Sequence, residues 1–317
     1  MKSYQVIRTH ISPYQSKDFS LKEKALIEQL PGLNYQALKD AKAQETILIT
    51  NTHTQLRELP PALLKQTKLI IHPNSGYDHF ESEQDLWRDI PLVVGHTIRA
   101  QAVAEYSLRA LFEGLVELPA HMSWDSQRTW NRPLLQGTSV WVFGYGHIGK
   151  IISETLRTLG MKVTVVDPYQ ENTLTHWKDG NIQEARVIIS AMSLNKSTYH
   201  YFNQDFFKAL SEEVLFINGA RGKLVDETAL REYLLTHPAS FAFLDVFEKE
   251  PFTDDWHGFP QVWKTSHIAG VEKNLDQKIL NFEEAVLKDY LSLDTKEFFE
   301  QYQKELLQNK LMKGVLI

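Results

Sequence analysis

Val140-Trp141-Val142-Phe143-Gly144-Tyr145-Gly146-His147-Ile148-Gly149 is the stretch that decides how this chain folds. Val140–Phe143 is a short apolar run of β-forming residues, which predicts a buried strand. It runs straight into G-x-G-x-x-G. The first glycine allows a tight turn out of the strand, the second lets backbone amides approach a pyrophosphate, and the third lets the next helix pack closely. That helix is predicted over Ile148–Leu159, with Ile148, Ile151, Ile152, Leu156 and Leu159 on related faces, and Gly160 stops it. A second strand, Val163–Val166, ends in Asp167, 18 residues beyond Gly149. An acid at that distance suits the adenosine ribose hydroxyls of a dinucleotide. His147 reads as a backbone position in the loop with its side chain near the phosphates, and Ile148 is its neighbour there. Asp167 would repel a 2′-phosphate, and no Lys or Arg follows in Pro168-Tyr169-Gln170-Glu171, so NAD is expected over NADP.

The pattern repeats in both directions. Downstream, strands are expected at Val187–Ser190, Val214–Ile217 and Phe241–Val246, with a helix at Glu227–Thr236. From Val140 onward these make five, close to the six that one doubly wound sheet needs. These runs are rich in Val, Ile and Phe without alternation, as in a parallel sheet covered on both faces. Upstream, strands are expected at Ser3–Ile7, Thr46–Thr50, Leu69–His72 and Leu92–Val94, followed by a long helix from Ala100 to Leu118 that Pro119 ends. A helical tail runs from Leu275 to Leu293. The fold class is therefore α/β, in about two domains for 317 residues.

Composition removes other classes. Hydrophobic residues are 43% and charged residues 23%, ordinary for a globular protein and wrong for a disordered or fibrous one. The net charge of −6 gives no basic field for nucleic acid or an acidic membrane. With no cysteine, disulfides, thiolate metal sites and cysteine nucleophiles are excluded. No metal site is expected. No apolar run approaches the ~18 residues of a membrane span, and the N-terminus has no signal-peptide core, so a cytoplasmic protein is expected.

Three further motifs sit beside predicted strands: Asn218-Gly219-Ala220-Arg221-Gly222, Asp245-Val246-Phe247-Glu248-Lys249-Glu250-Pro251, and Thr265-Ser266-His267-Ile268-Ala269-Gly270. They bring an arginine, carboxylates and a histidine to loops that border the crevice of a doubly wound sheet. Reduction of a 2-keto acid needs an anion clamp, an orienting carboxylate and a proton donor. Together with Asn74-Ser75-Gly76-Tyr77-Asp78 and Ala102-Val103-Ala104-Glu105, these motifs resemble the D-isomer-specific 2-hydroxyacid dehydrogenase family over most of the chain. The separations of 29 residues from Arg221 to Glu250 and 17 from Glu250 to His267 fit that family.

The resemblance implies two doubly wound domains with the active site in the cleft between them. A Rossmann NAD-binding domain, residues 98–282, is inserted in a smaller flavodoxin-like substrate domain, residues 1–97 and 283–317. It implies a homodimer packed around the Ala100–Leu118 helix. His267 is then the acid–base group, and Glu250 is the carboxylate neighbour that fixes its tautomer and stabilises the imidazolium. Arg221 holds the substrate carboxylate through its planar fork. The amides around Ser75 and Gly76 meet the carboxylate's other side. Val103, Gly219 and Ala220 lie along the nicotinamide, and Asp245 at its carboxamide. The expected ligand is a small 2-keto or 2-hydroxy acid.

Other histidines, His53, His176, His200 and His237 among them, read as surface or core residues. Arg128 and Arg132 beside Trp130 are expected in packing. Two departures from the family stand out. The usual His-x-Pro-Leu is Ala191-Met192-Ser193-Leu194 here, on the adenosine side of the cofactor, and Ser266 replaces the common proline before the histidine. Arg99 and Gln101 precede the Ala102–Glu105 motif. A surface arginine is the plainer reading of Arg99, and recognition of a second anionic group such as phosphate the sharper one. The competing function is a dinucleotide-sensing, co-repressor-like protein that binds NADH without rapid turnover. A different Rossmann enzyme, such as an alanine dehydrogenase or a homocysteine hydrolase, would want another residue set.

Overall fold

The structure is a computed structural model, described here for residues 3–115, 124–127, 134–211, 213–252, 256–312 and 315–317. The chain forms two compact units, one from Met1–Ala100 with Val271–Ile317, the other from Gln101–Gly270. Arg128, Trp130 and Arg132, and the end of the long helix at 116–118, lie outside the described residues.

The first unit holds the parallel strands β1 (Tyr4–Arg8), β2 (Leu33–Ala37), β3 (Thr46–Ile49), β4 (Thr67–His72) and β5 (Leu92–Val94). Their order is β2-β1-β3-β4-β5, so the winding reverses between β1 and β3, as in a flavodoxin-like sheet. Alternate side chains feed two cores. Tyr4, Val6, Ile47, Ile49 and Ile71 enter one, and Ile7, Leu48, Ile70, Leu92 and Val94 the other. Helices α1 (Phe19–Glu28), α2 (Pro61–Gln66) and α3 (Gln84–Trp87) belong to this unit.

The second unit begins on α4 (Ala100–Leu115). It continues with β6 (Ser139–Phe143), α5 (His147–Thr158), β7 (Lys162–Val166), β8 (Val187–Ser190), α6 (Gln204–Lys208), β9 (Leu215–Asn218), α7 (Glu227–Thr236), β10 (Phe241–Leu244) and β11 (Val262–Lys264). All six strands are parallel, in the order β11-β10-β9-β8-β6-β7. Both faces are buried: Trp141, Phe143, Ile188, Phe216 and Leu244 point to one core, Val140, Val142, Ile189, Ile217 and Phe243 to the other. This explains the unbroken apolar runs in the sequence. The winding reverses between β6 and β8, which places the glycine loop at the topological switch point, where such sheets bind ligands.

The boundary differs from the sequence reading, which extended the cofactor domain from 98 to 282. The chain returns to the first unit on α8 (Leu275–Ser292), followed by α9 (Thr295–Gln301), β12 (Leu311–Met312) and β13 (Val315–Leu316). Leu275, Ile279 and Leu280 pack with Phe19 and Ile98, so the first turns of α8 and Ile98 itself both belong to the first unit. That return is tied by a buried ion cluster. Arg8 of β1 donates to Glu23 of α1 at 2.6 Å and to Glu283 of α8, and Tyr35 of β2 donates to Glu23 at 2.8 Å.

Candidate active site

The turn from β6 to α5 has the geometry its glycines imply. Gly144 sits at φ +94°, and a Cβ on it would lie 2.5 Å from the Ala191 carbonyl oxygen. At Gly149 a Cβ would lie 1.9 Å from the Gly144 carbonyl oxygen, so only glycine lets α5 meet β6 this closely. Gly146 and His147 are exposed at the mouth of the helix. Gly146 has no atom within 4 Å of where its Cβ would be. No side chain caps α5, and its first turn carries no acid. The first N–H groups of α5 therefore point out at the positive end of a helix, which fits a pyrophosphate.

Asp167 closes this corner. Its Oδ2 accepts the Tyr145 N–H at 2.7 Å and its Oδ1 the Tyr169 N–H at 2.9 Å. Each oxygen keeps a lone pair for a ribose hydroxyl. Across the switch point, the segment after Ala191-Met192-Ser193-Leu194 has its own internal order. Asn195 Oδ1 accepts from Ser197 N, Ser197 Oγ and Thr198 N, and Thr198 Oγ1 donates to the Ser193 carbonyl at 2.8 Å.

Three loops at the carboxyl ends of β9, β10 and β11 assemble the remaining groups. Asn218 is fully buried at the end of β9. Its Nδ2 donates to the Arg221 carbonyl at 2.9 Å and its Oδ1 accepts from Ala220 N at 3.1 Å. This turn fixes Gly219, Ala220 and Arg221. A Cβ at Gly222 would lie 1.9 Å from the Phe247 carbonyl carbon and oxygen, so glycine is what lets the Arg221 loop reach the loop that carries Glu250.

His267 and Glu250 meet directly, Nδ1 to Oε2 at 2.7 Å. The other oxygen, Oε1, accepts the Phe247 N–H at 3.0 Å. Burial alone raises the Glu250 pKa. The hydrogen bonds from His267 and Phe247 and the positive charges of His267 and Arg221 outweigh it and hold the carboxyl below its usual 4.5. An ionised carboxylate can only accept, so Nδ1 carries the proton of this bond and Nε2 is the ring's other working atom.

The backbone of His267 is in the left-handed region, at φ +55°, which costs a non-glycine residue of order 1 kcal/mol. Asp245 holds it there. The His267 N–H donates to the Asp245 carbonyl at 2.8 Å. The fully buried Asp245 carboxylate accepts Thr265 Oγ1 at 2.6 Å and Ile268 N at 2.8 Å on Oδ1, and Ala269 N at 2.8 Å on Oδ2. Asp245, expected at the nicotinamide carboxamide, is thus bonded on both oxygens to the histidine loop itself. Sequence reading missed two partners. Thr265 spends its proton on Asp245, so Tyr106 of α4 donates to Thr265 Oγ1, at 2.7 Å. Burial raises the Tyr106 pKa, keeping the hydroxyl a donor. Tyr106 also lies beside Gly219, whose Cβ would be 3.5 Å from Tyr106 Cδ1. Val103 sits three residues before it on the same helix, half-buried.

Ser75 and Gly76 are in the first unit, after β4. Their loop is pinned by His72, which is fully buried. Its Nε2 bonds the Gly76 carbonyl at 2.9 Å and its Nδ1 the Thr50 hydroxyl at 2.9 Å. A carbonyl only accepts, so Nε2 carries the hydrogen. Burial, with the charge of His79, lowers the His72 pKa well below 6.5, so the ring is neutral. Ser75 Oγ reaches the His96 carbonyl at 3.4 Å.

Comparison with known proteins agrees with this geometry. Residues 106–269 match the profile of the D-isomer specific 2-hydroxyacid dehydrogenase, NAD binding domain. That match spans more than half of the chain: the protein belongs to the D-isomer specific 2-hydroxyacid dehydrogenase family. It is 26% identical over 268 residues to 4-methyl-2-oxopentanoate reductase A of Aspergillus oryzae, covering 77% of this chain and 81% of that one. It is 27% identical over 202 residues to the hydroxypyruvate reductase of Thermotoga maritima, covering 60% of this chain and 65% of the reductase. The fold is that of the Aquifex aeolicus D-lactate dehydrogenase complexed with NAD and lactic acid, at a TM-score of 0.72, 19% identity, and coverage of 96% and 99%. The protein is accordingly an NAD-dependent oxidoreductase acting on small 2-hydroxy or 2-keto acids. Among the described residues no helix is long and apolar enough to cross a membrane, and no group of three or more His, Asp or Glu could hold a metal ion.

Proposed function

We propose that the protein reduces a 2-keto acid to a D-2-hydroxy acid, and runs the reverse oxidation, with His267 as acid and base. The observation that carries this is the 2.7 Å His267–Glu250 bond, beside a loop that presents Arg221. In reduction, His267 is doubly protonated. Its Nε2–H bonds the keto oxygen and transfers its proton as the alkoxide forms, while Glu250 keeps the ring's orientation and stabilises the charge on it before transfer. In oxidation, Nε2 of the neutral ring accepts the hydroxyl proton. Arg221 holds the substrate carboxylate as a fork and, in the transition state, draws charge away from the carbonyl. The amides of Ser75 and Gly76, fixed by His72, complete the carboxylate's surroundings. When bound, the nicotinamide supplies or accepts the hydride. Gly144, Gly146, His147, Ile148 and Gly149 would hold its pyrophosphate and Asp167 the ribose, with Val103, Gly219 and Ala220 along the nicotinamide.

The proposed assembly is a homodimer through α4 and its surroundings. Exposed Phe112, Trp124 and Leu134 support it, since apolar side chains of that size in solvent favour an interface. Light scattering that shows a monomer at micromolar concentration would refute the dimer. The reaction is tested by following NADH oxidation with glyoxylate, hydroxypyruvate, pyruvate, 2-ketobutyrate, phenylpyruvate and 3-phosphohydroxypyruvate. Turnover of one or more is expected. NADH binding with no turnover of any acid would overturn the mechanism in favour of a sensor.

A further inference from the structure

Arg99 is not the surface residue its sequence context suggested. It is mostly buried, at the junction of the first unit's last loop with α4. Its one hydrogen bond to a described residue runs from Nη1 to the Pro73 carbonyl, at 2.8 Å. Burial pulls its pKa down to about 10, and no carboxylate among the described residues acts in the opposite direction. The contrast is Arg8, also buried in this unit, which has Glu23 and Glu283 against it and whose pKa is raised. Removing a guanidinium from water without an anion is unfavourable. It is the more unfavourable at the start of α4, whose first turn carries no acid. Arg99 opposes the protonation of His72, and the Asp78 carboxylate, which favours it, is not among the charges that shift Arg99.

The placement says what the cation is for. The Gly95 N–H bonds the His72 carbonyl at 2.8 Å, the Asn74 N–H bonds the same carbonyl at 2.7 Å, and Ile98 N–H bonds Gly95 O at 3.1 Å. A Cβ on Gly95 would lie 3.0 Å from Pro73 Cα, so the turn that carries Arg99 lies flat against the Pro73–Gly76 loop. Arg99 is held rigidly on the loop that the proposed function assigns to the substrate, with most of its five N–H donors unspent on described residues.

We propose that Arg99 is the specificity-determining residue, and that its guanidinium takes a second oxyanion on the substrate: a carboxylate, phosphoryl or sulfonyl group beyond the keto carbon. This rests on the reading of the Ser75–Gly76 loop as the substrate loop. A planar fork of N–H donors matches any of these three groups, and the C1 carboxylate is already assigned to Arg221.

The test compares kcat/KM for dianionic acids (oxaloacetate, 2-ketoglutarate, 3-phosphohydroxypyruvate, 3-sulfopyruvate) with that for monoanionic ones (pyruvate, hydroxypyruvate, 4-methyl-2-oxopentanoate). Wild type, Arg99→Met and Arg99→Lys are each measured with NADH. Wild type prefers at least one dianion, and the arms of the panel tell carboxylate from phosphoryl from sulfonyl. In Arg99→Met the dianion-to-monoanion ratio falls about 10- to 100-fold, the range for losing a hydrogen bond to a charged group. Arg99→Lys falls between the two, because an ammonium keeps the charge and lacks the fork. A wild type that prefers monoanions, or an equal fall for both classes, overturns the proposal. The equal fall would make Arg99 a brace for the loop. If wild type turns over none of the acids, the proposed reaction fails separately. Calorimetric binding of oxaloacetate and 3-phosphohydroxypyruvate to the NAD-loaded protein then decides: affinity lost in Arg99→Met upholds the site, and unchanged affinity overturns it.

Discussion

Asp245→Asn separates two roles for one buried residue. As a cofactor contact, Asp245 would affect chiefly the affinity for NADH. As the anchor seen here, it sets the conformation of His267. An asparagine keeps the shape but can place its oxygen at only one of the two positions. With oxygen toward Thr265 and Ile268, the amide nitrogen faces the Ala269 N–H, donor against donor, where a 2.8 Å bond stood. That loses one charge-assisted bond and leaves a buried donor unsatisfied, about 2–3 kcal/mol. The two bonds that remain, at 2.6 and 2.8 Å, lose their charge assistance. The flipped rotamer loses two bonds and is worse. A loop already holding His267 at φ +55° has little reserve against that loss. A loss of 3 kcal/mol in the productive arrangement corresponds to roughly 100-fold in rate. Steady-state kinetics should show kcat lowered about 100-fold, with the NADH dissociation constant, from quenching of tryptophan fluorescence, within about threefold of wild type. A near-normal kcat with NADH affinity lowered tenfold or more would refute the anchor and restore the carboxamide contact.

Other consequences follow from the same contacts. Thr265→Val removes the hydroxyl between Tyr106 and Asp245, and a double-mutant cycle with Tyr106→Phe should give a coupling of about 1 kcal/mol in kcat/KM; additive effects would show that the two hydroxyls act independently. Glu250→Gln keeps a hydrogen bond to Nδ1 without the charge, and kcat should fall about 10- to 30-fold. Because the Glu250 pKa lies below 4.5, its carboxylate charge is present above that pH and is lost only as pH falls through the lowered value. The Gln variant should therefore show its deficit at neutral pH and lose it in strong acid, and a deficit that grows on acidification would contradict the assignment. Glu283 is the opposite case. Burial raises its pKa well above 4.5, against the pull of Arg8, so its contribution to stability is full in acid and declines as pH rises through the raised value. Chemical denaturation should show Glu283→Gln gaining on wild type as pH rises, and parallel pH profiles would show that the group titrates normally. Asp167→Ser should raise the NADPH-to-NADH ratio of kcat/KM at least tenfold, by about 1.4 kcal/mol or more, once the carboxylate no longer repels the 2′-phosphate.

The glycine loop was legible because its information is local. A turn, a close approach and a helix start are dictated by residues within a ten-residue window, and β6, α5, β7 and Asp167 stand within a residue or two of their expected places. The strand β2 was not legible. Leu33-Asn34-Tyr35-Gln36-Ala37 lies at the sheet edge with only Leu33 buried, so its hydrophobic signal is faint. β11 was unassigned for a similar reason, being three residues long at the other sheet's edge. The anchor role of Asp245 depends on donors 20 to 24 residues further along, and no spacing rule announces them. The left-handed backbone of His267 depends on the same contacts. Arg99 shows the limit most clearly. Its charge is visible in the sequence, but its burial without a carboxylate partner among the described residues comes from how Pro73 and Gly95 fold together.

The central claim is that His267, oriented by Glu250, moves the proton in a 2-keto acid reduction. It is tested most directly by His267→Gln, assayed by the loss of NADH absorbance with the best substrate of the panel. The account predicts that kcat falls by about 100-fold or more, the usual share of a positioned acid–base group, while NADH still binds. A kcat within about threefold of wild type would contradict it and require another proton donor.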